Sequence, residues 1–261
     1  MIELWPKFQD VEGYAFWYAL LSLLFVGLER FRPARSGQII LRKQWRQDLF
    51  WWTFNGFYAY GILSLFTHPA LSGFPEPVLK NLPTWAQFLL ILGSKDFVEW
   101  WVHRALHRVP ALWKIHRLHH SITTMDWAGN MRFHPLEIAV YRLAIWIPLG
   151  LVLVDAPVAL GLAIVSTAMG HLNHANIDWS WGPLRKIFNG PRFHIHHHDR
   201  NSPHSYGCNY AIVFSLWDYW FGTAWTPEQP PVQLGFKGDE QYPLKLWSRM
   251  MALGLGLNLR R

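Results

Sequence analysis

Ten histidines fall in four short clusters at helical spacing. His103 and His107 are four residues apart; His116, His119 and His120 form H-x-x-H-H; His171 and His174 are three apart; His194, His197 and His198 repeat H-x-x-H-H. Positions i, i+3 and i+4 share a face of an α-helix, so each cluster can aim two or three imidazoles at one point. Neutral imidazole is a good ligand for iron, zinc, copper and nickel. One metal rarely takes more than three or four protein ligands. Ten therefore suggest two metals with about five imidazoles each. A single His pair on a helix is often surface decoration, and a histidine tract would be contiguous. These clusters are spread along the chain, so separate helices must bring them together.

Composition narrows the setting. The 261 residues are 51% hydrophobic and only 16% charged, with 17 Trp and 9 Tyr. Such rings suit a membrane–water interface. The lone Cys208 excludes an internal disulfide and any site built on several cysteines. The segment MIELWPKFQDVEGYAFW lacks the basic region and cleavage site of a signal peptide. Net charge is +7, but no basic helix or aromatic RNA-binding motif accompanies it, so nucleic acid is not an expected partner.

Five apolar runs are expected to span a bilayer: 14–28, 49–66, 85–102, 138–154 and 158–170. Six Lys/Arg lie in 30–46, five in 103–135 and nine in 175–261, against one, Lys80, in 68–83 and none at the turn around Asp155. The positive-inside rule places the basic segments in the cytoplasm, with all four histidine clusters on that side. No alternating strand pattern persists. The expected fold is all-α: an integral, multi-pass helical bundle with a cytoplasmic histidine-rich cap holding a dinuclear metal site. It divides into 1–84 (N-terminal spans and basic loop), 85–225 (histidine-cluster region) and 226–261 (C-terminal cytoplasmic tail) within a single fold. A soluble bundle of buried helices is the competing reading.

Around the clusters, Asp96, Glu99, His103 and His107 line one helical face. The two carboxylates can accept the second ring N–H of ligating histidines, or pair with Lys95 instead. Pro110 ends one helix and opens the next. His134, before Pro135, is structural or a further ligand. Asn176 is a candidate second-sphere donor or water holder, and Asp218 joins these candidates. His196 points about 100° away from its neighbours and is read as a non-ligand. His204 is read as solvated, and His68 as unrelated to the site.

The series HRALH, HRLHH, RFHPLE, HAN, PRFHIHHH and LWDYWFGT resembles the membrane sterol desaturase/fatty-acid hydroxylase superfamily over residues 85–225. The resemblance implies a di-iron centre at the cytosolic face, with O2 as co-substrate, that hydroxylates or desaturates a lipid: a sterol, fatty acyl chain, ether lipid or terpenoid. It implies ligand roles for His103, His107, His116, His119, His120, His194, His197 and His198, with His171 and His174 as a further candidate pair. The family's usual Asn-Tyr-Gly stands here as Asn209-Tyr210-Ala211. Zinc is expected to replace iron after overexpression. No haem-binding His-Pro-Gly-Gly, cysteine cluster or dinucleotide fingerprint is visible, so an external electron-donor redox protein is an implied partner. A metal-dependent hydrolase lacks its H-E-x-x-H here. A membrane metal-binding or transport protein, or a catalytically silent lipid-binding relative, are the alternatives.

Overall fold

A computed structural model describes residues 13–39, 41–58, 79, 81–152, 156–204, 207–243, 245, 248 and 249, with the side chains of 146–152 and 156 not described. His68, most of the 68–83 loop, Asp155 and the end of the C-terminal tail lie outside them. Among the described residues the chain is helical; only two isolated β-bridges occur, Pro33 with Ile177 and Asp199 with Leu234.

Helix α1 (Tyr14–Phe31) turns Tyr18, Ser22, Phe25 and Glu29 inward at helical spacing, while Leu20, Leu23, Leu24 and Leu28 face out. That is the reverse of a soluble amphipathic helix, which buries its leucines and exposes its charges. Helix α2 (Trp45–Thr53) runs into a π-turn, Phe54–Tyr58. Helix α3 (Thr84–Arg108) ends at Val109, and Pro110 occupies the first turn of α4 (Pro110–His120). Its missing N–H costs nothing there. Asp126 Oδ1 accepts Ala128 N–H and caps a 3₁₀ turn, Trp127–Met131. Helices α5 (Pro135–Val152) and α6 (Ala156–His174) follow. The short α7 (Pro191–His194) continues as a 3₁₀ turn, Ile195–His198, and α8 is Leu216–Trp220.

Helix α3 packs against α4, α5 and α6, and α1 packs against α6. Ile91, Leu92, Val158, Leu162, Met169 and Val213 form the main core, and α3 and α6, which supply five of them, carry His103, His107 and His174 toward their C-terminal ends.

Of the five expected spans, α1, α3, α5 and α6 cover four as helices. The second run is described as helix only to Thr53 and as π-turn to Tyr58; the rest lies outside the described residues. Among the described residues one helix, Tyr14–Phe31, is long and apolar enough by composition alone to cross a membrane. Lys95, Asp96 and Glu99 lower the apolarity of α3, yet Lys95 and Asp96 are buried, and Lys95 Nζ donates to Glu99 Oε1 at 2.6 Å and to Ser166 Oγ at 3.0 Å.

Candidate metal centre

Nine histidines converge in two adjacent groups that can each hold a metal ion: His103, His107, His116, His120 and His197, and His119, His174, His194 and His198. All nine are buried. The clusters do not map one to one onto the groups. Each pair at i, i+4 stays together: 103 with 107, 116 with 120, 194 with 198. Each partner at i+3 is diverted: 119 from 116, 174 from 171, 197 from 194. On an α-helix, at 100° per residue, i+4 lies about 40° from i on one side, whereas i+3 lies about 60° away on the other; residues 195–198 form a 3₁₀ turn and make the same split by the path of that segment. Two neighbouring sites therefore share one H-x-x-H-H element. His120 and His198, one from each group, stack with ring centroids 4.4 Å apart.

Inside the first group, His107 Nε2 lies 3.1 Å from His116 Nε2, 3.1 Å from His120 Nε2 and 3.2 Å from His197 Nε2. His116 and His120 Nε2 are also 3.1 Å apart. In the second, His174 Nε2 lies 3.1 Å from His119 Nε2 and 3.3 Å from His194 Nε2. A neutral imidazole has one N–H, and several of these rings spend it elsewhere. His103 Nδ1 donates to Tyr210 O (2.7 Å), His197 Nδ1 to Cys208 O (2.7 Å), His174 Nδ1 to Gly170 O (2.9 Å) and His116 Nδ1 to Glu137 Oε1 (2.6 Å). The Nε2 atoms of these rings then carry lone pairs into the group, where they repel unless a cation stands among them. Spacings near 3.1 Å suit ligands about 2.1 Å from a common metal. The Nε2 of His103 and both ring nitrogens of His198 are buried with no hydrogen-bond partner. Buried polar atoms are rarely left so. The donor set fits two transition-metal ions.

Burial, then neighbouring imidazoles, holds His116, His119, His120, His194 and His198 well below the usual imidazole range. Burial does the same for His197, with His103 adding to it. Neutral rings need not release a proton before binding metal. Apolar walls close the site: Trp113 lies 5.2 Å from His107 and 5.4 Å from His120 between centroids, and Phe133 stacks on His119 at 4.8 Å.

Other sequence candidates sit elsewhere. His171, fully buried, meets Ser22 Oγ through Nε2 (3.3 Å) and Asn130 Nδ2 through Nδ1 (3.2 Å), outside both groups. His134 Nδ1 accepts Leu136 N–H at the start of α5. His196 packs on Trp225, and His204 is exposed beside the same ring. Of the four polar candidates, none binds an imidazole of either group. Asp96 accepts Val213 N–H, Phe214 N–H and Trp217 Nε1–H, because its carboxylate lies under the backbone that enters α8. Glu99 pairs with Lys95 one turn away. Asn176 clasps Arg35 through both backbone groups. Asp218 accepts Trp100 Nε1–H, Tyr210 N–H, Ala211 N–H and Thr223 Oγ1–H.

The carboxylate that does meet an imidazole of these groups is Glu137, fully buried, which sequence reading passed over. Its signal is an acid in the first turn of an apolar helix, inside RFHPLE. The 207–211 segment was also missed as a positioning element. Cys208 and Tyr210 supply carbonyls to His197 and His103. Asn209, at φ 53°, grips Phe193 O and Trp225 O; asparagine tolerates that left-handed conformation. At Gly207, φ 83°, a Cβ would stand 2.9 Å from His107 Nδ1.

Comparison with known proteins adds to this geometry. The family model for fatty acid hydroxylases matches residues 88–223. An ornithine lipid hydroxylase of Rhizobium tropici is 33% identical over 163 residues, covering 62% of this chain and 49% of that protein. Human alkylglycerol monooxygenase is 33% identical over 151 residues, covering 56% and 32% respectively. Methylsterol monooxygenase 1-3 of Arabidopsis thaliana is 28% identical over 187 residues, covering 62% and 57%. The chain thus spans about half or less of the length of most curated relatives it matches. No solved structure matches.

Proposed function

The chain belongs to the fatty acid hydroxylase family, and on that premise we propose that it is a membrane-bound, O2-dependent lipid hydroxylase or desaturase that holds two iron ions. The observation that carries this reading is the pair of adjacent, buried imidazole groups, five and four in number. We assign His103, His107, His116, His120 and His197 to one ion and His119, His174, His194 and His198 to the other. When bound, the iron pair supplies the O2-activating chemistry needed to cleave an unactivated C–H bond, which side-chain acids and bases cannot do. Hydroxylation balances as RH + O2 + 2 e⁻ + 2 H⁺ → ROH + H2O.

The chain's own residues bind, orient and shield. Glu137 and the carbonyls of Gly170, Cys208 and Tyr210 fix the ring tautomers and orientations. Trp113 and Phe133 keep water from the imidazoles. Outward leucines on α1, with Leu89 and Leu90 on α3 and Leu143 on α5, suit contact with lipid, which supports a multi-pass arrangement, and the basic segments 30–46, 103–135 and 175–261 support a metal face toward the cytoplasm. Exposed Arg108 and Lys114 flank His107 and His116 and suit an acidic external electron donor.

The test is lipid mass spectrometry on membranes of cells making the protein, supplied with ¹⁸O2. A lipid heavier by one ¹⁸O, absent from cells making the His120→Ala variant, is expected from hydroxylation, and one lighter by two hydrogens from desaturation. Absence of both products would refute the proposal.

A further inference from the structure

A cavity of about 230 Å³ opens where α1 meets the basic segment. Glu29, Arg30, Arg35, Gln38, Asp126 and Asn176 are among its lining residues. We propose that this cavity binds a zwitterionic headgroup, an ammionium-type cation joined to an acid group, of a lipid lying along α1.

The charges carry the argument. Two carboxylates and two guanidinium groups share the lining. A purely anionic ligand meets Glu29 and Asp126 unfavourably; a purely cationic one meets Arg30 and Arg35. A zwitterion satisfies both signs. Asp126 is already committed to Arg42, 3.3 Å away, and Arg35 Nη2 to Met125 O. Among the described residues, Glu29, Arg30 and Arg35 form no ion pair, and the neutral acceptors of Arg35 leave its charge in place, so charge of both signs is left for a ligand. Glu29 is buried, and both its hydrogen bonds, from Trp127 N–H (2.8 Å) and Asn176 N–H (2.7 Å), use Oε1.

Position supplies the rest. Leu20, Leu23, Leu24 and Leu28 form an exposed apolar track along α1 that leads to the cavity, and Phe31 and Ile39 are exposed beside it. An acyl chain on that track brings its headgroup to Glu29 and Arg30. Asn176 ties Glu29 and Arg35 to the end of α6, two residues beyond His174 of the four-imidazole group. The headgroup is thereby held at a fixed place relative to the metal centre. This inference rests on the lipid-oxygenase reading and narrows its substrate class to zwitterionic polar lipids.

The test is native mass spectrometry of the full chain, with four lipids sharing the same acyl chains: phosphatidylethanolamine, phosphatidic acid, a dialkylammonium lipid and diacylglycerol. Glycerophosphoethanolamine serves as the soluble zwitterion. Phosphatidylethanolamine is expected to be retained about tenfold over each of the others, the scale of one charge-assisted hydrogen bond. Glu29→Gln, which keeps the acceptor, should abolish the preference over phosphatidic acid. Arg30→Gln, at an exposed position, should abolish that over the cationic lipid. Iron content should be unchanged in both variants. Equal retention of all four lipids, or a preference that survives both substitutions, would overturn the proposal. Displacement by equimolar glycerophosphoethanolamine would overturn the lipid assignment in favour of a soluble zwitterion. Selective retention with no oxidised product would leave the headgroup site standing and count against the oxygenase reading; an oxidised product without selective retention would do the reverse.

Discussion

Glu137→Gln separates the two metal positions. Glu137 Oε1 accepts His116 Nδ1–H at 2.6 Å, with both side chains buried. His116 belongs to the five-imidazole group. A hydrogen bond to a charged partner contributes about 1.5–3 kcal/mol and a neutral one about 0.5–1.5. The substitution therefore removes about 1.5 kcal/mol of support for His116 as a ligand, or about tenfold in metal affinity. That is the lower end of what outer partners of ligating histidines contribute. Glu137 Oε2 is buried without a partner, so the new amide NH2 also goes unsatisfied and costs the fold about 1–3 kcal/mol. Competition with a chromophoric chelator reads the first effect, and denaturant unfolding of the metal-free protein reads the second. One metal per chain should leave about tenfold more readily while the other is unaffected. Equal weakening of both, or of neither, in a folded variant would refute the assignment of His116 and Glu137 to one position.

Three further outcomes follow from the geometry. His120→Ala and His197→Ala should each lower bound metal and abolish lipid oxidation, whereas His204→Ala, at an exposed position, should change neither; metal analysis beside product assay decides. Asp218→Ala leaves Trp100 Nε1–H and two backbone N–H groups without their acceptor, so denaturant unfolding should show a loss of at least about 3 kcal/mol; a loss under about 1 kcal/mol would contradict its role in holding Tyr210. Six site imidazoles, those of His116, His119, His120, His194, His197 and His198, have folded-state pKa values depressed by burial. Below about pH 6.5 the unfolded chain takes up protons that the folded one refuses, so stability is full above that pH and lost below it, by up to about 1.4 kcal/mol per pH unit for each ring; a metal-free protein with the same unfolding midpoint at pH 7 and pH 5 would contradict this.

Histidine spacing made the helices around the site and most of its imidazoles legible, because a ligand on a helix must repeat at three or four residues. Their partition between two groups was not legible: it depends on the sign of a small angular offset and on where α6 and the 191–198 segment dock. His171 shares its spacing with His174 yet meets Ser22 and Asn130, since helix rotation against α1 decides which imidazole turns inward. Asp96 stood on the face of His103 and His107, but the nearest unpaired donors are the N–H groups of Val213 and Phe214. The carbonyls of Gly170, Cys208 and Tyr210 that orient three rings leave no mark in sequence, because every residue has a carbonyl and only the backbone path selects these. Glu137 was visible as a charge at the head of an apolar helix, and only packing of α4 against α5 reveals its partner.

The metal count per chain tests the central claim most directly. Protein purified under iron-replete conditions, without chelators, and measured by inductively coupled plasma mass spectrometry against amino-acid analysis should carry about two transition-metal ions per chain, iron in the active form, with zinc able to replace it. Two ions would match the two imidazole groups of five and four. A value of one or less after careful handling would contradict a dinuclear centre.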